Sequence, residues 1–170
     1  MGKRLGLGAI ALACMCFFSL TRPGQAQTAV PSLAVIELDY VDTSGEVRDQ
    51  RADHAQRLKV FAESLRGDLG RSGKFRLVIL DCAPAACTAS TTLPAELVVA
   101  AEKAGAAYIL MGGIQKKSTL IQWGTFAILD VGKQKIIFDR SLSFRGDDDV
   151  AWRRAEGFLA RDILEQDVFK

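Results

Sequence analysis

Three apolar runs limit what this chain can fold into more than any other feature: LAVIELDY (33–40), FRLVILD (75–81) and AAYILMGGI (106–114). Each is too short for a buried helix and does not alternate with polar residues. Such runs read as strands covered on both faces, which is the signature of sheets flanked by helices. The segments between them supply those helices. Leu58, Phe61, Leu65 and Leu69 form one amphipathic stripe, with Asp49 or Asp53 as its start and Gly70 and Gly73 as its stop. LPAELVVAAEKAGA forms a second helix, with Pro94 in the first turn and Gly105 as a left-handed end.

LIQWGTFAILDV and KQKIIFDRSLSFRG read as a hairpin turning at Gly132–Lys133, with Ile136, Phe138, Leu142 and Phe144 on one side. GDDD then caps a third helix whose stripe is Trp152, Ala155, Leu159 and Ile163. The order is β-α-β-α-β-β-β-α: an α/β (α+β sandwich) fold with a five-stranded mixed sheet and three helices. The first two strands are expected to be parallel and the last three to form a meander. Gly112–Gly113 predicts a bulge or a close backbone approach.

The N-terminus gives the expected address. Lys3 and Arg4 precede an uncharged run from Leu5 to Leu20, and TRPGQA ends in small residues. This is the pattern of a cleaved signal peptide over 1–26, with 27–32 as a tether and 33–170 as a single domain. The expected location is the periplasm. An uncleaved anchor is disfavoured because the run falls short of the roughly 20 residues that span a bilayer. A lipoprotein attached through Cys14 is disfavoured because Leu12 stands where a small residue is wanted. No stable membrane insertion is expected after cleavage.

Cleavage also changes the charge argument. Three of the 22 basic side chains (Lys3, Arg4 and Arg22) and none of the 20 acidic ones lie before residue 27. The remainder has 22 − 3 = 19 basic against 20 acidic groups, a net charge of −1. Nucleic acid therefore loses its electrostatic support as a partner. Cleavage also removes Cys14 and Cys16, leaving Cys82 and Cys87 as an even pair in an oxidising compartment. Their CxxxxC spacing is not the CxxC of thiol oxidoreductases, so a structural disulfide is expected.

LAVIELDY, FRLVILDC, AEKAGAAYILMGGI, KKSTLIQW and FRGDDDVAWRRAE together resemble an exported bacterial family, domain of unknown function 3280. The strand-helix-strand-helix pattern followed by a meander is more distantly similar to the N-terminal domain of TolB and to CsgG. The first resemblance implies no activity. The second implies a fold and a style of function, binding other envelope proteins or self-assembly.

No catalytic residue is assigned. The single histidine, His54, lies at a helix start near Asp49 and Asp53, where it reads as solvated surface; the same three residues are the candidates for a small-ligand or metal site, or for an enzyme. No serine occupies a nucleophile elbow, and neither calcium-loop nor phosphate-loop spacing is present. No cofactor and no metal are expected.

Lys116, Lys117, Ser118, Thr119 and Trp123 make a second candidate, an interaction surface extended by Arg145 and Asp147. The lysines also read as solvated edge protection. Arg140 is expected to pair with Asp130 on the neighbouring strand. The favoured function is a non-catalytic accessory protein meeting an unidentified envelope partner, with self-association possible.

Overall fold

The computed structural model describes Gly2 and residues 30–169. Apart from Gly2, the expected signal peptide over 1–26, with Cys14, and residues 27–29 of the expected 27–32 tether lie outside the described residues. The elements are β1 (Ser32–Val35), β2 (Asp39–Asp42), α1 (Arg51–Arg71), β3 (Arg76–Val78), α2 (Pro94–Ala104), β4 (Tyr108–Lys116), β5 (Ile121–Asp130), β6 (Lys135–Arg145) and α3 (Asp149–Glu165). A 3₁₀ turn at Asp167–Phe169 follows.

The α/β class and the mixed sheet stand as expected. The order is β3-β1-β4-β5-β6, with β2 also paired to β4. β1 runs parallel to β3 and β4, and β4, β5 and β6 form an antiparallel meander. The sheet has six strands rather than five because the first apolar run is divided. Val35 pairs with Leu110 while Asp39 pairs with Gly113, so three residues on the first run oppose two on β4. The extra residue is a bulge. Glu37, within it, bridges instead to Thr88, just past the disulfide-bonded Cys87.

The helices take both faces. Phe61, Leu65 and Leu69 of α1 and Trp152, Leu159 and Ile163 of α3 pack with Leu33, Leu110, Ile114, Phe126 and Ile128 in the main core. On the other face Leu97 and Ala101 of α2 cover Ala34, Ile36 and Ile109, and Cys87 joins them. α2 ends on Gly105 at φ +66°, and Asp148 caps α3 by accepting from the Ala151 N–H at 2.8 Å, both as the sequence predicts. α1 differs: its N-cap is Gln50, with no side-chain cap.

The glycine pair works by close approach. A Cβ on Gly112 would lie 2.3 Å from the Thr125 carbonyl oxygen, and one on Gly113 2.7 Å from that of Asp39. A second irregularity lies between Ile128 and Leu129, where Ile137 of β6 is the extra residue. It turns Ile136 out of the expected apolar row, leaving it 50% exposed, while Ile137 packs against the main core.

Cys82 and Cys87 are joined in a disulfide, with Cα atoms 5.3 Å apart. It closes the loop leading from β3 toward α2. On the chain-entropy account a loop this short contributes about 2 kcal/mol. Replacing both cysteines with serine should therefore lower chemical-denaturation stability by about that amount without changing the far-UV spectrum.

Candidate functional site

The most concentrated chemistry lies where the end of β4 meets the first turns of α1 and α3. Alternation along β4 turns Lys116 to the same face as Leu110 and Ile114, toward the two helices. Its side chain is fully buried. Burial of an ammonium is tolerated only with partners, and Lys116 has three. Its Nζ donates to Gln50 Oε1 at 2.5 Å, to Asp147 Oδ2 at 2.8 Å and to Glu46 Oε2. An ammonium has three N–H donors, so none is left over. The loop supplying Glu46 and Gln50 is itself tied to the lysine, because Thr43 donates both its N–H and its hydroxyl to the Lys116 carbonyl at 2.9 Å.

Asp147 is the counterpart. Gly146, at φ +115°, makes the bend between β6 and α3, and a Cβ there would sit 2.8 Å from that of Ala151. The bend sends Asp147 inward and leaves Asp148 to cap the helix. Asp147 accepts from Lys116, from His54 Nε2 at 2.9 Å and from Arg57 at 3.2 Å. Burial alone would raise its pKa, yet the hydrogen bonds from Lys116 and His54 hold it below the ordinary carboxylate value. An ionised carboxylate only accepts, so His54 Nε2 carries the proton. Lys116 mirrors this: burial works against its charge, but Asp147 and Glu46 raise its pKa above the ordinary lysine value.

His54 is 1% exposed. Its ring is stacked on Tyr40 at 4.8 Å between centroids and lies 6.3 Å from the Trp152 ring. The expectation of a solvated histidine is therefore corrected: the first turn of α1 faces the sheet, and the imidazole is part of the core. Asp53 is exposed, and Asp49 pairs with Arg51 at 2.7 Å, so neither joins His54. Among the described residues no group of three or more His, Cys, Asp or Glu is arranged to hold a metal ion.

The expected interaction surface is divided by the same geometry. Lys116 is buried and Asp147 is turned inward with little of its side chain exposed, so both leave it. Lys117, pointing to the opposite face, places its ammonium 4.9 Å from the centroid of the half-exposed Trp123 ring. Ser118 and Thr119 shape the β4–β5 turn, where the Ser118 hydroxyl accepts from the Ile121 N–H at 3.2 Å. Arg145 is exposed at the end of β6. Arg140 does not reach Asp130: it pairs with Asp162 of α3, and Asp130 takes Lys133 at 3.0 Å. Register explains this, since Arg140 stands opposite Phe126 while Asp130 stands opposite Lys135.

Sequence reasoning does not single out Glu46, Gln50, Arg57 or Tyr40. The available signal was strand parity, which sets Lys116 with Ile114 rather than with Lys117. A separate buried acid, Glu156, sits in a cavity of about 190 Å³ between α1 and α3, lined also by Trp152, Phe61 and Ser64. Its Oε1 and the Trp152 indole nitrogen have no hydrogen-bond partner. Burial, then the nearby Asp68, raises the Glu156 pKa to about 7.

The fold and this cluster define an α/β protein whose most concentrated polar groups bind one another. The chain belongs to the DUF3280 family, described as "Protein of unknown function (DUF2380)", which matches residues 31–164. No curated protein matches it in sequence. Among solved structures it is similar to the C-terminal domain of LpoB from Salmonella enterica, at 16% identity and TM-score 0.45, covering 70% of this chain and 85% of that one. It is also similar to TolB from Acinetobacter baumannii, at 18% identity and TM-score 0.49, covering 80% of this chain and 28% of that one. A third is the PelC dodecamer from Paraburkholderia phytofirmans, at 14% identity and TM-score 0.47, covering 76% and 82%. Likenesses this distant carry no argument about what the chain does.

Asp147→Asn leaves Lys116, His54 and Arg57 short of a buried anion and should cost about 3–5 kcal/mol at pH 7, against under about 1 kcal/mol for the exposed Lys117→Ala. A carboxylate with a depressed pKa contributes above its unfolded value and loses that contribution as pH falls through the folded one. Urea titrations should therefore show the wild-type advantage at pH 5 and above, shrinking only below pH 4. Glu156 has the opposite sign: its raised pKa stabilises the fold below about pH 4.5, and this is lost as pH rises toward 7. Glu156→Gln should flatten that slope and raise the melting temperature at pH 8 by a few degrees.

Proposed function

We propose that this chain is a non-catalytic accessory protein of the bacterial envelope that works by binding another protein. The observation that carries the reading is the saturation of the Lys116–Asp147–His54 cluster. A general base or nucleophile must reach a substrate within hydrogen-bond distance, whereas His54 and Lys116 are buried and the three ammonium donors are all engaged within the fold. Support for an envelope address comes from the signal-peptide pattern before Gln27, the net charge of −1 after it, and the Cys82–Cys87 disulfide. Among the described residues no helix is long and apolar enough to cross a membrane.

A second reading, a small-ligand site, is favoured by one observation: the cavity that Glu156 and Trp152 line with unpaired polar atoms. A carboxyl beside an aromatic wall suits a small amine, whose binding would ionise Glu156.

Affinity purification of the tagged mature chain from periplasm, with crosslinking at native abundance, separates the two. The accessory reading expects one stoichiometric envelope protein, and a chain that runs alone contradicts it. In a thermal-shift panel of amines the ligand reading expects a saturable rise in melting temperature that Glu156→Gln abolishes. No rise across the panel contradicts that reading.

A further inference from the structure

If the chain binds a protein, as proposed above, one place in the molecule is suited to receive it. β6 ends the sheet, and among the described residues no strand pairs with its outer edge. An open edge presents a row of backbone N–H and C=O groups, which a further extended segment can satisfy. The opposite edge, β3, is confined to Arg76–Val78, whereas β6 runs over Lys135–Arg145.

A groove of about 510 Å³ lies between this edge and α3. Leu142, Phe144 and Phe158 give it apolar walls, and Arg140, Arg145 and Arg154 line it with charge. Phe158 is 49% exposed and Val150 54% exposed. With Arg154 between them at four-residue spacing, they form a single stripe along the helix. Half-buried apolar groups therefore stand beside the open edge.

Two of the three arginines are without a counter-ion among the described residues. Arg140 is neutralised by Asp162, but Arg145 and Arg154 make no ion pair among the described residues. We infer that this groove receives an extended segment of a partner protein, added as a further strand on β6, with apolar side chains on the α3 face toward Phe158 and carboxylates on the other face beside Arg145, where the positive charge of Arg154 adds to the attraction. The lining stretch Arg140–Arg145 would span roughly 20 Å at the rise of a strand, which sets the segment at about six residues. A second copy of this chain suits the edge poorly. Antiparallel self-pairing centred on Arg140 would set Lys135 against Arg145 and Arg140 against itself, and like charges directly opposite are destabilising.

The test uses the mature chain and two labelled heptapeptides, one alternating glutamate with valine and the other lysine with valine. The glutamate peptide should bind and the lysine peptide should not. Arg145→Glu with Arg154→Glu should weaken binding about ten-fold or more, whereas Lys103→Glu with Arg76→Glu, on other surfaces, should leave it within about two-fold. Hydrogen exchange should gain protection at alternate amides of β6, since alternate residues present their N–H to the open edge. Equal affinity for both peptides, indifference to the Arg145/Arg154 reversal, or protection confined elsewhere overturns the inference. So does a dimer of the wild-type chain that the same reversal dissolves, which would make a second copy the occupant. All variants remain measurable because both arginines are exposed; Arg145→Gln with Arg154→Gln repeats the test without reversing charge. A partner recovered equally well by wild type and the reversed variant sinks this surface and leaves the accessory reading standing. A wild-type chain that binds the glutamate peptide as described but recovers no partner sinks the accessory reading alone.

Discussion

The ion pair between Lys116 and Asp147 pins together, at one end of the main core, parts of the chain that are far apart in sequence. It joins the last residue of β4 to the bend between β6 and α3, and through His54 and Arg57 the same carboxylate reaches the first turns of α1. A fully buried ammonium is costly unless each of its protons is accepted, so the positions of Glu46, Gln50 and Asp147 depend on one another. The loop over 43–50 follows from that requirement. It crosses the end of the sheet because Lys116 needs two of its side chains and also binds its Thr43 through the backbone. The aromatic stack of Tyr40, His54 and Trp152 then seals the cluster from the core side.

This arrangement separates two kinds of polar chemistry. At the end of β4, charges of opposite sign are matched and enclosed, which favours one fixed geometry and leaves little for an outside molecule to engage. Along β6 and α3, arginines and half-exposed apolar side chains face outward beside an unpaired strand edge. Binding energy in protein interfaces comes from such apolar anchors flanked by charge. The functional reading therefore moves from the titratable cluster to the sheet edge.

Much of the fold was legible because buried strands and amphipathic helices leave periodicities a reader can count. The stripes over Phe61–Leu69 and Trp152–Ile163 lie against the sheet as their spacing requires, and Gly105 stops its helix as a left-handed residue should. What escaped was decided by register rather than by pattern. The bulge between Val35 and Asp39 divides one apolar run into two strands, and the bulge beside Leu129 turns Ile136 outward. Neither leaves a trace in hydrophobicity. Two adjacent lysines look like an edge, yet parity sends Lys116 inward and Lys117 outward. Arg140 found Asp162 because its face of the strand looks to α3, a relation no local spacing encodes.

Lys116 is a closed structural charge, every proton of which is accepted within the fold. Nitrogen-15 NMR of the lysine ammonium groups at neutral pH addresses it directly. Hydrogen bonds to Glu46, Gln50 and Asp147 should hold the Lys116 protons long enough to give a distinct, slowly exchanging signal that small metabolites do not perturb. A Lys116 signal lost to rapid solvent exchange, or one that shifts on metabolite addition, would show an open site and contradict it.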